Sequence, residues 1–142
     1  MARHENMSWI GRLFTKEKEA PLRGARPVRR EKTYSADTGY VYQYFYEGYR
    51  EAKQADESGT EHVFSVTSDR VSRFPINIFV PGHVVEAWQL SNDRELTATE
   101  QYAVVKMTLF EVFDERTDFD GLPWNINISL ENIEEHAETL DL

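Results

Sequence analysis

The residues of this chain with spacing suited to chemistry are few. His83 and Glu86 stand at i and i+3, which puts both on one face of a helix. With His62 or His136 they would offer imidazole nitrogen and carboxylate oxygen to a metal. The His-Glu-x-x-His pattern of a zinc protease is absent, so a helix-start histidine is the simpler reading of His83. Asp114, Glu115, Asp118 and Asp120 form an acidic group without the alternating spacing and closing glutamate of a calcium loop, and read as solvated loop. Glu134, Glu135 and His136 lie near the last residue of the sequence, where side chains are commonly mobile.

Other chemistries find no support. The seven glycines are scattered singly, so no phosphate-cradling loop is present, and no Gly-x-Ser-x-Gly elbow occurs. The sequence has no cysteine, which excludes disulfides, thiolate nucleophiles, Cys-ligated zinc and iron–sulfur clusters. Asn127-Ile128-Ser129 fits a glycosylation sequon, set aside because nothing routes the chain for secretion. The residues thus point to no catalytic group, no cofactor and no metal, and an enzyme with a site near His83 and Glu86 ranks third among the functional readings.

Charge carries more information. The chain has 142 residues and a net charge of −9. Residues 1–35 hold nine Lys/Arg against four Glu, whereas residues 36–142 hold seven basic and 21 acidic side chains. A basic arm on an acidic body is an asymmetry that points to a partner. The other possibility is that the arm folds back on its own body.

Within the arm, Trp9, Ile10, Leu13 and Phe14 share one face of a short amphipathic helix spanning residues 8–15, with Ser8 placed as its cap. Two turns are too short to be stable alone, so this segment either frays, docks in a protein groove or, with Lys16 and Lys18 nearby, lies on an anionic membrane surface, docking being the leading expectation. Arg12 interrupts an apolar stretch too short for a signal peptide. Residues 15–35 are broken by Pro21, Gly24 and Pro27 and read as an extended tether. Its Arg23, Arg26, Arg29 and Arg30 would steer and hold it on an acidic protein surface. Without interleaved aromatics, nucleic-acid binding there is the weaker alternative.

The body, residues 36–142, reads as a single α+β domain ending in an acidic tail. Tyr40, Tyr42, Tyr44 and Tyr46 alternate with other residues on a first strand, giving one face made wholly of tyrosine. That face suits semi-buried packing under a helix or a protein interface, with Tyr42 and Tyr44 at its centre, better than base stacking. Gly48 marks a bend or bulge, and residues 50–60 read as a polar connection. Strands follow at 61–67 and 74–80. A short helix opens at Pro81-Gly82 and closes at Ser91-Asn92-Asp93. Thr97 and Glu100 fit a capping box that starts an apolar helix running to about Glu115. A last strand takes residues 124–130, and a weak helix takes residues 131–142.

The expected fold is therefore α+β, with a mostly antiparallel sheet of about four strands in the order β-β-β-α-α-β and two helices on one face. No apolar run is long enough to span a membrane. The expected function is a non-catalytic protein–protein interaction module, cytoplasmic, an accessory or assembly subunit of a larger complex. Its partner-binding residues would be Trp9, Ile10, Leu13, Phe14, Arg23, Arg26, Arg29, Arg30, Tyr42 and Tyr44, and its partners larger protein subunits. A nucleic-acid- or ribosome-associated protein using the basic arm is the alternative.

Overall fold

Alternating apolar residues along the middle of the chain build one five-stranded sheet. In the computed structural model, which describes residues 20–26, 29–116 and 124–142, five strands lie side by side in chain order. They are β1 (Lys32–Ser35), β2 (Val41–Gln54), β3 (Glu57–Thr67), β4 (Phe74–Pro81) and β5 (Trp124–Asn127). The first four pair antiparallel, and β5 runs parallel to β4. A parallel neighbour needs a crossover connection, and two helices supply it: α1 (Gly82–Asn92) and α2 (Ala98–Glu115). A third, α3 (Leu130–Thr139), follows β5. The class is the expected α+β, with five strands rather than about four and with three helices contributing to one core.

The extra strand is β1, which the sequence reading assigned to the arm. Four residues with one aromatic show no usable periodicity, and what holds them is tertiary. Lys32 lies opposite Tyr44 and Tyr34 opposite Tyr42. The Tyr34 ring stacks on Phe110 with centroids 4.4 Å apart, and its hydroxyl donates to Asp114 at 2.8 Å. Burial, then that carboxylate, pushes the Tyr34 phenol up to about 12.

Residues 50–60 are a second correction. They are not a polar connection but the arms of a hairpin, with β2 reaching Gln54 and β3 starting at Glu57. Ala55 and Asp56 turn the chain with φ of 49° and 70°, the two left-handed residues of a type I′ turn. Here the ribbon is stabilised by polar cross-strand pairs such as Arg50 with Glu61 at 2.9 Å, which apolar periodicity cannot register. The last strand also ends early, at Asn127, because Ser129 and Asn132 cap α3 reciprocally and draw Leu130 into the helix.

The α2 start matches the capping box: Thr97 Oγ1 accepts from the Glu100 amide at 3.2 Å, and Glu100 reaches back to the Thr97 amide at 3.0 Å. The helix lies over the tyrosine face of β2. Val104, Val105, Leu109 and Phe113 are buried, and Phe113 stacks on Tyr42 at 4.3 Å. Tyr42, expected at a partner surface, is 1% exposed and belongs to the core, where its hydroxyl donates to the Arg116 carbonyl at 3.1 Å. Tyr40 lies outside β2 and is exposed. Among the described residues no helix is long and apolar enough to cross a membrane.

Candidate functional site

The sheet face that packs under α2 does not stay filled along its whole length. At Gly48 the pairing with β3 slips: Tyr46 faces Phe64, Gly48 faces Val63, and Glu47 has no opposite residue. One inserted residue shifts the side-chain alternation, so Tyr49, opposite His62, joins Tyr46 on the same face. Without the bulge, Tyr49 would point to the other side. Gly48 is required by its φ of 119° and by the N-terminal segment, because a Cβ there would run into the carbonyl oxygen of Arg23. Arg23 and Tyr49 exchange backbone hydrogen bonds of 2.8 and 2.7 Å, which fasten the N-terminal segment beside the bulge.

The result is a cleft of about 670 Å³ between the N-terminal segment, the sheet and the first turns of α2. Its aromatic wall is Tyr44, Tyr46, Tyr49 and Tyr102, and its floor carries His62. Five cations line it: Arg26, Arg29, Arg30, Lys32 and Lys106. Among the described residues no carboxylate does, in a chain of net charge −9. Arg29 is neutralised by Glu47 at 2.9 Å. None of the other four is ion-paired with a described residue.

The electrostatics follow from burial. His62 is 6% exposed, and desolvation lowers its imidazole to about 4, so it is neutral at pH 7. Its Nδ1 lies 2.8 Å from the Tyr46 hydroxyl; an imidazole with its proton on Nε2 accepts there from the tyrosine O–H. Burial, then the neighbouring Tyr102, pushes the Tyr44 phenol up to about 12, and raises Tyr46 further. Lys106 sits over the rings of Tyr44, Tyr102 and Phe110 at 5.4 to 5.5 Å. Burial first and then the Lys32 cation lower its ammonium. Two cations crowding one desolvated wall favour an anion between them.

Of the residues expected to bind a partner, Arg26, Arg29, Arg30 and Tyr44 meet in this cleft. Arg23 lies at its edge, over the Tyr49 ring and 3.8 Å from Glu51. Trp9, Ile10, Leu13 and Phe14 lie outside the described residues. The described part of the tether, residues 20–26 and 29–35, folds back on the body, held by β1, the Arg23–Tyr49 bridge and exposed ion pairs such as Glu31–Arg73. His83 is exposed and pairs with Glu57 from β3, and Glu86 is exposed on α1. His62 and His136 stand apart from them, so among the described residues no metal-ligating group forms around His83.

The sequence reading did not single out Lys32, Tyr49, Thr60, Gln101, Tyr102 or Lys106 as site residues. Two signals were present. His62 occupies a core-facing position between Thr60 and Phe64, and Lys106 interrupts the apolar stripe of α2. Comparison with known protein families, with curated proteins and with solved structures finds no match.

Proposed function

We propose that the chain is a non-catalytic binding module, an accessory subunit that holds an acidic segment of a partner protein in the basic, tyrosine-walled cleft. The observation that carries this reading is the convergence of five cations and four tyrosines on one opening that no carboxylate among the described residues lines. Arginine and tyrosine are the side chains that anchor protein interfaces, supplying planar donors and rigid amphipathic rings. The cations steer an acidic segment and fix its register.

Two groups argue for binding rather than turnover. A general acid or base works best with a pKa near the operating pH, whereas the His62 imidazole lies at about 4 and the Tyr46 phenol is raised above its ordinary value. The pair is built to stay neutral and fixed, as a wall should be.

The test is a titration of a glutamate-rich peptide and, separately, a single-stranded oligonucleotide into the full chain, followed by anisotropy at several salt concentrations. The peptide should bind, more weakly as salt rises, and replacing Arg26 and Arg30 by Gln should weaken it about tenfold. Preference for the oligonucleotide would move the assignment to nucleic acid. Equal peptide binding by native and variant chains would remove the cleft from the account.

A further inference from the structure

Away from the cleft, the contact between α2 and α3 contains a group of side chains that the fold does not explain. His136 is 4% exposed, packed beside the buried Ile133 and Ala137 on the inner face of α3. Its Nε2 is buried and has no hydrogen-bond partner among the described residues. A buried imidazole nitrogen without a partner is costly, and this one points at two carboxylates. Glu111 Oε1 on α2 lies 3.5 Å away, and Glu135 completes a trio whose ligand atoms all fall within 4.8 Å of one another.

The spacing fits a loose ion pair and also a ligand pair. A charge-assisted N–H to carboxylate hydrogen bond closes to about 2.7–2.9 Å, and at 3.5 Å this contact is longer than that optimum. Two donors bound to one tetrahedral zinc, at about 2.0–2.1 Å each, stand about 3.3 Å apart. The separation of His136 and Glu111 is close to that edge. Glu135 is exposed, so its side chain is free to swing inward by the remaining ångström or so.

We infer that Glu111, Glu135 and His136 form a binding site for a divalent transition metal of the zinc class. One imidazole nitrogen and two carboxylate oxygens are a borderline donor set that suits zinc, whereas magnesium and calcium take oxygen throughout. Three protein ligands leave a fourth position for water on the exposed side, next to Glu135. Since Glu111 belongs to α2 and the other two to α3, the bound ion clamps the C-terminal helix onto the central one. The site shares no residue with the cleft, and its test is independent of the cleft's function.

The experiment uses the untagged full chain with zinc as the probe, read by equilibrium dialysis and by thermal melting. One equivalent of zinc should bind, and saturation should raise the melting midpoint by about 5 °C or more. Cobalt should give the intense visible absorption of a low-coordinate nitrogen–oxygen site. Glu135→Gln alters an exposed side chain and leaves the buried pair in place, so it should fold as the native chain does and bind zinc at least about tenfold more weakly. His83→Gln should bind as the native chain does, since that histidine is elsewhere. The inference is overturned if zinc neither binds nor shifts melting, if Glu135→Gln binds zinc like the native chain, or if magnesium competes on equal terms.

Discussion

The tyrosine face of β2 meets two fates along one strand. In its first half Tyr42 is buried ring on ring with Phe113, and Tyr44, also buried, stands where the filled half meets the cleft. In its second half Tyr46 and Tyr49 stay half-buried beside an open cleft. The strand residues are of the same type, so the difference lies in the helix opposite. The C-terminal half of α2 presents Leu109, Phe110 and Phe113, large enough to fill the space. Its first turns present Ala98, Thr99 and Gln101, which are not, and the gap they leave is bordered by Tyr102 and Lys106. Core and cleft are thus set by the size of the residues facing a uniform wall.

The two halves should differ most at Phe113. Phe113→Ala removes a fully buried ring from the filled half and should cost about 3–5 kcal/mol in urea denaturation. Tyr49→Ala, in the open half, should cost about 1 kcal/mol. Equal losses would mean that the two halves are packed alike.

A second measurement sharpens the description of the cleft floor. Because the folded chain holds His62 at about 4, against an ordinary value of about 6.5, the unfolded chain binds more protons between those two values. Stability is therefore fully present above pH 6.5 and is lost as pH falls toward 4, by about 3 kcal/mol from this group. His62→Asn should remove that part of the pH dependence, leaving only what the carboxylates contribute. Identical profiles for native and variant chains would show a solvated imidazole.

Smaller effects concern the parts that hold the cleft open. Gly48→Ala forces a left-handed residue against Arg23 and should cost about 2 kcal/mol, with faster hydrogen exchange at the amides of Arg23 and Tyr49. Thr97→Ala removes the cap of α2 and should cost about 1 kcal/mol. Its exchange effects should be concentrated in the first turns, at the cleft, with the Phe113 end unaffected.

Much of the fold was legible from residues that act locally. The Thr97–Glu100 box placed the start of α2, the Pro81-Gly82 and Asn92-Asp93 signals bracketed α1, and Gly48 announced the bulge. What escaped depends on distant partners. β1 exists because Tyr34 meets Phe110 and Asp114, some 76 to 80 residues later in the chain. The Ala55-Asp56 turn lacks the glycine that usually advertises its type. The cleft was not visible as such: the arginines of the N-terminal segment and Tyr44 were expected to bind a partner, yet nothing local says that they meet, or that Lys106 and His62 stand beside them. Tyr42 was misplaced because periodicity assigns a residue to a face without saying whether a helix covers it.

The most direct test of the central claim is a nuclear magnetic resonance titration of the full chain with a glutamate-rich peptide, following side-chain signals from both halves of the tyrosine face. Salt-sensitive shifts are expected at Tyr49, His62, Tyr102 and Lys106, with Tyr42 and Phe113 unmoved. Shifts spread evenly over both halves, or confined to residues outside the cleft, would contradict it.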